Sequence, residues 1–184
     1  MGKKYAITDK EAMYFISFAT IGWVDVFSRK EYRDIVIQNL KYCQENKGLI
    51  IYSWCIMSNH LHLVAQARDS NLSDILRDFK SYTAKVLLKA IQELPESRSE
   101  WMIRIFKEEG ERNSNNTTMG FWRQDNQYKE VHSKEFAFQK FGYIHNNPVE
   151  AGLVEKAEEY IYSSARDFYY GRNVGLLKIK FWDQ

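Results

Sequence analysis

Two of the four histidines in this 184-residue chain, His60 and His62, stand one residue apart in His60-Leu61-His62-Leu63-Val64. On a strand, residues i and i+2 point to one face, so both imidazoles project together with Leu61 and Leu63 turned away. Two neutral ring nitrogens side by side on a rigid element are a ready chelate for a divalent metal. Far down the chain, Ala137, Phe138, Phe141 and Ile144 make the apolar stripe of a helix read over 133–146. Tyr143 lies roughly 150° from the centre of that stripe. Asn147, four residues later, shares its face with Tyr143, and Lys140 joins them there. A tyrosine set apart from the core stripe, beside a carboxamide and an ammonium, has chemistry open to it; Phe136 on the same face keeps a packing role open too.

Together these residues have one coherent use. A metal held by His60, His62 and the Asn147 amide oxygen would polarise a phosphodiester as a Lewis acid. The Tyr143 hydroxyl could then attack phosphorus and form a phosphotyrosine. That bond conserves the energy of the broken ester, so a free 3′-hydroxyl can reverse it onto another strand. Strand-transfer chemistry needs such an arrangement, whereas hydrolysis gains little from it.

The elements that must position these groups follow from the pattern. Met13 to Ile21 mixes aromatic and β-branched residues and predicts a strand. Ser28 with Glu31 three residues on predicts a capping box, opening a helix over 29–46 that Gly48 closes. Leu49 to Met57 predicts a second strand, Ser58-Asn59 a turn, and His60 to Ala67 a third strand. Leu72, Ile75, Leu76, Phe79, Tyr82, Thr83, Val86, Leu87 and Ala90 give a 3.6-residue period that ends before Pro95. Trp101 to Glu109 predicts a short helix, 113–118 a polar loop, and Met119 to Arg123 a fourth strand. The helix from Ser133 should stop near Asn147, because Pro148 disfavours α geometry in the residue before it. The order predicts an α+β, ferredoxin-like split βαβ fold: an antiparallel sheet, two helices on one face, then an added helix and tail. One domain over 1–184 is expected, its core about 13–148 and its tail 149–184.

Composition sets limits on function. Hydrophobic residues make up 45% and charged residues 27%, which excludes a disordered chain. A formal net charge of +2 excludes a histone-like or tail-driven nucleic-acid binder. The charge is uneven, net +4 over residues 1–92 and −2 over 93–184, so a local basic surface is allowed. The longest apolar stretch, Leu49 to Met57, is far too short to span a bilayer. No secretory leader is read at the start of the sequence, since Thr8, Asp9, Lys10 and Glu11 interrupt any apolar run. Cys43 and Cys55 form no C-x-x-C pair and predict two reduced thiols of a cytoplasmic protein rather than a disulfide framework or a zinc site. Aromatics reach 15%, more than the core requires.

Two blocks resemble a known family. Trp54-Cys55-Ile56-Met57-Ser58-Asn59-His60-Leu61-His62-Leu63-Val64 resembles the HUH motif of single-tyrosine transposases. Tyr143-Ile144-His145-Asn146-Asn147-Pro148-Val149-Glu150-Ala151-Gly152-Leu153-Val154 resembles their catalytic helix, most closely in the REP-associated tyrosine transposase branch. Phe79-Lys80-Ser81-Tyr82-Thr83, Phe121-Trp122 and Tyr162-Ser163-Ser164-Ala165-Arg166 are further echoes, and the resemblance covers about residues 13–170. It implies a ferredoxin-like fold acting on single-stranded or hairpin DNA, with Mg²⁺ or Mn²⁺ as cofactor and a 5′-phosphotyrosine intermediate. His60 and His62 would be metal ligands and Tyr143 the nucleophile. Asn147 would be the third ligand, where many insertion-sequence members carry Gln and the REP-associated branch is similar in having Asn. The compact insertion-sequence enzymes dimerise and exchange tyrosine helices, so a homodimer is one arrangement the resemblance allows.

DNA contacts are expected from Arg77, Lys80, Lys85, Arg123 and Lys140 on phosphates and from Trp122 or Tyr82 on bases. A plain solvated face is the competing reading of the lysines. The competing function is a host-adopted protein that holds DNA hairpins without cutting them. A phosphodiesterase with two H-x-[ST] motifs is discounted, because a single H-x-H is present.

Overall fold

The computed structural model describes residues 7–69, 71–112 and 119–182; the loop expected at 113–118 lies outside them. Four strands, β1 (Tyr14–Ala19), β2 (Leu49–Ile56), β3 (His60–Ala67) and β4 (Gln127–Glu130), form one sheet in the order β2-β3-β1-β4. Every neighbouring pair is antiparallel. Helices α1 (Lys30–Asn46) and α2 (Leu72–Glu93) make the two crossovers, α3 (Ser99–Arg112) follows α2, α4 (Lys134–Glu150) follows β4, and a short α5 (Ala165–Tyr170) lies in the tail. This is the ferredoxin-like order the sequence predicts.

Strand alternation divides the chemistry of the two faces. Tyr14, Ile16 and Phe18 of β1 share a face with Leu61 and Leu63 of β3, and all five are buried. Phe18 stacks on Phe79 of α2, so this is the face that the two crossover helices cover. The opposite face carries Phe15, Ser17 and Ala19 of β1, Ser53 and Cys55 of β2, and His60, His62 and Val64 of β3. Helix α4 packs across this second face, over β2 and β3. A bulge at Tyr52 lets β2 keep its pairing with β3 on either side. The tail runs along the open edge of β2: Ile56 N–H donates to Tyr162 O at 2.9 Å and Lys180 N–H to Ile51 O at 2.8 Å. Covering that edge removes a row of unpaired backbone groups.

Three local expectations are corrected. The fourth strand is Gln127–Glu130, not 119–123; Trp122 makes a single bridge to Thr20. The segment 121–122 is pulled inward by its aromatic side chains, and only beyond Asn126 does the chain align with β1. Ser28 does not cap α1: the helix begins at Lys30 without a side-chain cap, and Ser28 Oγ accepts from Arg98 instead. Helix α4 starts where Ser133 predicts, with Ser133 Oγ accepting from Phe136 N–H at 3.1 Å, but it runs through Pro148 to Glu150. Proline in the last turn forfeits one hydrogen bond, and the end is secured downstream. Gly152 adopts φ +69°, Gly152 N–H donates to Val149 O, and Leu153 N–H donates to Pro148 O, the paired bonds of a Schellman ending. Asn147 therefore stays helical, one turn beyond Tyr143.

Candidate active site

Strand β3 presents His60 and His62 with ring centroids 4.7 Å apart. His62 is 4% exposed, and neither of its ring nitrogens has a hydrogen-bond partner. Burial, with smaller contributions from His60 and Lys140, pulls its pKa down to about 3, so the ring is neutral near pH 7. Burial also lowers His60, opposed by a hydrogen bond to the Asn147 side chain. His60 Nδ1 lies 2.7 Å from Asn59 Oδ1, which orients the ring from the turn side. Buried polar atoms without partners are uncommon, and a neutral imidazole is the form that binds a metal.

Helix α4 brings the other groups to this pair. The Tyr143 ring lies edge-on to His62 of the same chain at 5.3 Å and to Phe15 at 6.0 Å, while 46% of the residue remains exposed. Asn147 Nδ2 donates to Tyr143 O at 2.9 Å, and the same carboxamide meets His60. The Lys140 ammonium sits 5.1 Å from the Phe15 ring, 5.0 Å from Phe136 and 5.6 Å from Tyr143. Partial burial, then Lys129, lower its pKa. The predicted group His60, His62, Tyr143, Asn147 and Lys140 thus converges on one patch. Among the described residues no three His, Cys, Asp or Glu side chains form a metal cluster, so any ion here relies on the two imidazoles and the carboxamide.

His145 holds α4 in place. Its Nε2 lies 2.8 Å from Ser164 Oγ and 3.1 Å from Ser53 Oγ, tying the helix to β2 and the tail. Burial brings its pKa to about 4. Cys43 and Cys55 are free, buried thiols, raised by burial to about 11 and about 12.

The remaining predicted contacts are dispersed. Arg77 lies on α2, across the sheet from the histidines, paired with Asp74 at 2.6 Å and Asp78 at 3.3 Å. Lys85 lines a groove of about 630 Å³ between α1 and α2 with Tyr42 and Tyr82, also away from the histidines. Lys80 is held largely inside: its ammonium donates to Arg123 O at 3.3 Å and lies over Phe18, and burial lowers its pKa to about 8. Trp122 is a correction, because it offers no free surface for a base. It is 4% exposed, packed on Phe18, Phe27, Phe79 and Phe121, and its indole N–H donates to Thr83 Oγ1 at 3.0 Å. Arg123 does reach the site's rim, bound to Asp125 and stacked 5.0 Å from the Trp23 ring. Two residues near the histidines escaped the sequence reading. Lys129 of β4 pairs with Phe15 and so lies on the histidine face, and exposed Trp23 stands 6.3 Å from the His60 ring. Neither sits in a local pattern that would mark it.

The fold and this patch define a ferredoxin-like domain with an H-x-H strand faced by a tyrosine helix. A family model described as "Transposase IS200 like" matches residues 10–119, and the chain belongs to that family. The match includes both histidines and ends before α4. Among solved structures, the chain is similar to a REP-associated tyrosine transposase bound to a REP hairpin. The TM-score is 0.64 at 14% identity, over 98% of this chain and 94% of that one. It is also similar to a candidate transposase from Deinococcus radiodurans R1, with TM-score 0.46 and 18% identity over 79% and 95% of the two chains. No curated protein matches the chain. Among the described residues no helix is long and apolar enough to cross a membrane.

Proposed function

We propose that this transposase-family chain cuts and rejoins single-stranded DNA, at or beside hairpins, through a covalent bond to Tyr143. The observation that carries the reading is a half-exposed phenol set edge-on to a buried imidazole, His62, whose two nitrogens have no partner. His60, His62 and the Asn147 carboxamide oxygen are the residues that would hold Mg²⁺ or Mn²⁺, and the ion would supply Lewis-acid polarisation of the scissile phosphodiester. Two nitrogens and one amide oxygen, with no carboxylate, suit Mn²⁺ better than Mg²⁺, which asks for oxygen.

Tyr143 provides the nucleophile. Its Oη forms a bond to phosphorus while the bond from phosphorus to the 3′ oxygen breaks; the phenol proton passes to solvent, and the departing oxygen takes up a proton to become a 3′-hydroxyl. The tyrosine remains bonded to the 5′-phosphate until another 3′-hydroxyl attacks and releases it. The Lys140 ammonium places positive charge beside Tyr143, and Lys129 adds its charge next to Lys140, where a phosphate would sit. The contact between Tyr143 and His62 of its own chain supports a tyrosine that acts in cis. The hairpin in the structure of the REP-associated relative supports hairpin DNA as the substrate class.

The test incubates labelled hairpin oligonucleotides carrying single-stranded flanks with the protein and Mn²⁺ or Mg²⁺, followed by denaturing electrophoresis. A covalent adduct that disappears in Tyr143→Phe is expected. Cleavage that survives this substitution removes the nucleophile assignment, and tight hairpin binding without an adduct in either metal favours the non-cutting reading.

A further inference from the structure

Trp23 is held in a conformation that its own side chain does not favour. Its φ is +54°, it directly follows Gly22 at +63°, and it is the one non-glycine with positive φ among the described residues. A bulky residue in the left-handed region is an outlier, and such outliers concentrate at functional sites. The turn is pinned by several bonds. Trp23 N–H donates to Thr20 O at 3.1 Å, Asn59 Nδ2 donates to Trp23 O at 3.2 Å, and Thr20 Oγ1 donates to Val24 O at 2.8 Å. Thr20 N–H in turn donates to Asn59 O at 2.9 Å, so the turn is tied to the residue that orients His60.

All this bonding holds an indole largely out in solvent, at 54% exposure. The Arg123 guanidinium lies 5.0 Å from the ring centroid, and the His60 ring meets it edge-on at 6.3 Å. The Arg123–Asp125 pair fixes the guanidinium from behind. Burial does not explain the arrangement, since a packed tryptophan such as Trp122 sits inside a ring of aromatics.

We infer that Trp23 is a stacking platform for one unpaired base beside the scissile phosphate, with Arg123 reinforcing the ring from one side. This rests on the single-strand reading above and adds to it the residue that seats the strand at His60. Stacking is tolerant of base identity, so the platform sets the strand's position rather than its sequence. The cationic neighbour strengthens the contact and carries charge toward the adjacent phosphates.

The experiment measures binding of a fluorescent oligothymidylate strand in EDTA, where cleavage is not required, to the wild-type chain, Trp23→Gly and Trp23→Phe. A companion strand carrying one 5-iodouracil is photo-crosslinked and the modified peptide identified by mass spectrometry. Loss of one base stack predicts about 5- to 150-fold weaker binding for Trp23→Gly. Trp23→Phe keeps most of the affinity. Because glycine suits the positive φ, Trp23→Gly should melt no lower than the wild type. A crosslink to the peptide containing Trp23 completes the expected result. Equal affinity of wild type and Trp23→Gly overturns the inference and leaves the single-strand reading standing. No binding of oligothymidylate by the wild type overturns both.

Discussion

The two faces of the sheet use the same residue types for opposite ends. On the crossover-helix face, Trp122 is sealed among four phenylalanines with its N–H bonded to Thr83, and Lys80 is drawn inward toward Phe18. On the α4 face, Trp23 stands in solvent on a strained backbone, Lys140 lies among three rings at the surface, and His62 is buried with both nitrogens unanswered. On the first face Trp122 and Lys80 are bonded and packed, although the Trp54 indole N–H and the Tyr32 hydroxyl there have no partner. On the second, an indole stands exposed and both nitrogens of a single ring are unpaired within one patch, at a cost in stability. Residue type therefore says little about role here; the sheet face a residue occupies says more.

That contrast can be broken by substitution. Trp122→Ala should cost about 3–5 kcal/mol in denaturant unfolding, the loss typical of a buried aromatic. A cost near zero would mean that the crossover face is not the packed one. His62→Leu, measured in EDTA, should gain about 1–3 kcal/mol by removing unsatisfied buried nitrogens, while calorimetric titration shows Mn²⁺ binding lost. A destabilised His62→Leu would mean that the ring has partners, and the contrast would fail.

A pH series sharpens the same point. His62 and His145 have folded pKa values of about 3 and about 4, below the ordinary 6.5 of an unfolded chain. The unfolded state therefore takes up protons first as pH falls below 6.5, and stability present above that value declines by about 1.4 kcal/mol per pH unit for each group. Chemical unfolding between pH 7 and 5 should show this slope, and it should be reduced by one group in His62→Leu. The smallest effect belongs to Arg77→Ala, whose exposed ion pairs lie across the sheet. Stability should change by no more than about 0.5 kcal/mol, with hairpin cleavage unaltered. Loss of cleavage there would bring the far face into the site.

The parts of this site legible in the sequence are those that one element carries alone. His60 and His62 share a strand face through a two-residue spacing, and Tyr143 and Asn147 share a helix face through a four-residue spacing. The order of strands and crossover helices was readable for the same reason, because each has its own period. Trp23 and Lys129 were not legible, since a turn and the β1–β4 register bring them to the histidines, and neither leaves a local signature. The end of α4 is not legible from the residue preceding proline, because that rule is local while the Schellman ending lies beyond it at Gly152. The place of Trp122 is not legible either, because whether an aromatic packs inward or stacks outward depends on partners distant in sequence.

The central claim is that Tyr143, set against His62 on the α4 face, becomes covalently joined to DNA. The direct measurement is proteolysis and mass spectrometry of the protein after reaction with a flanked hairpin oligonucleotide and Mn²⁺. The account predicts a 5′-phosphonucleotide on the peptide carrying Tyr143, absent when His62→Leu replaces the wild type. A nucleotide on a different tyrosine, or cleaved DNA with no modified peptide, would contradict it.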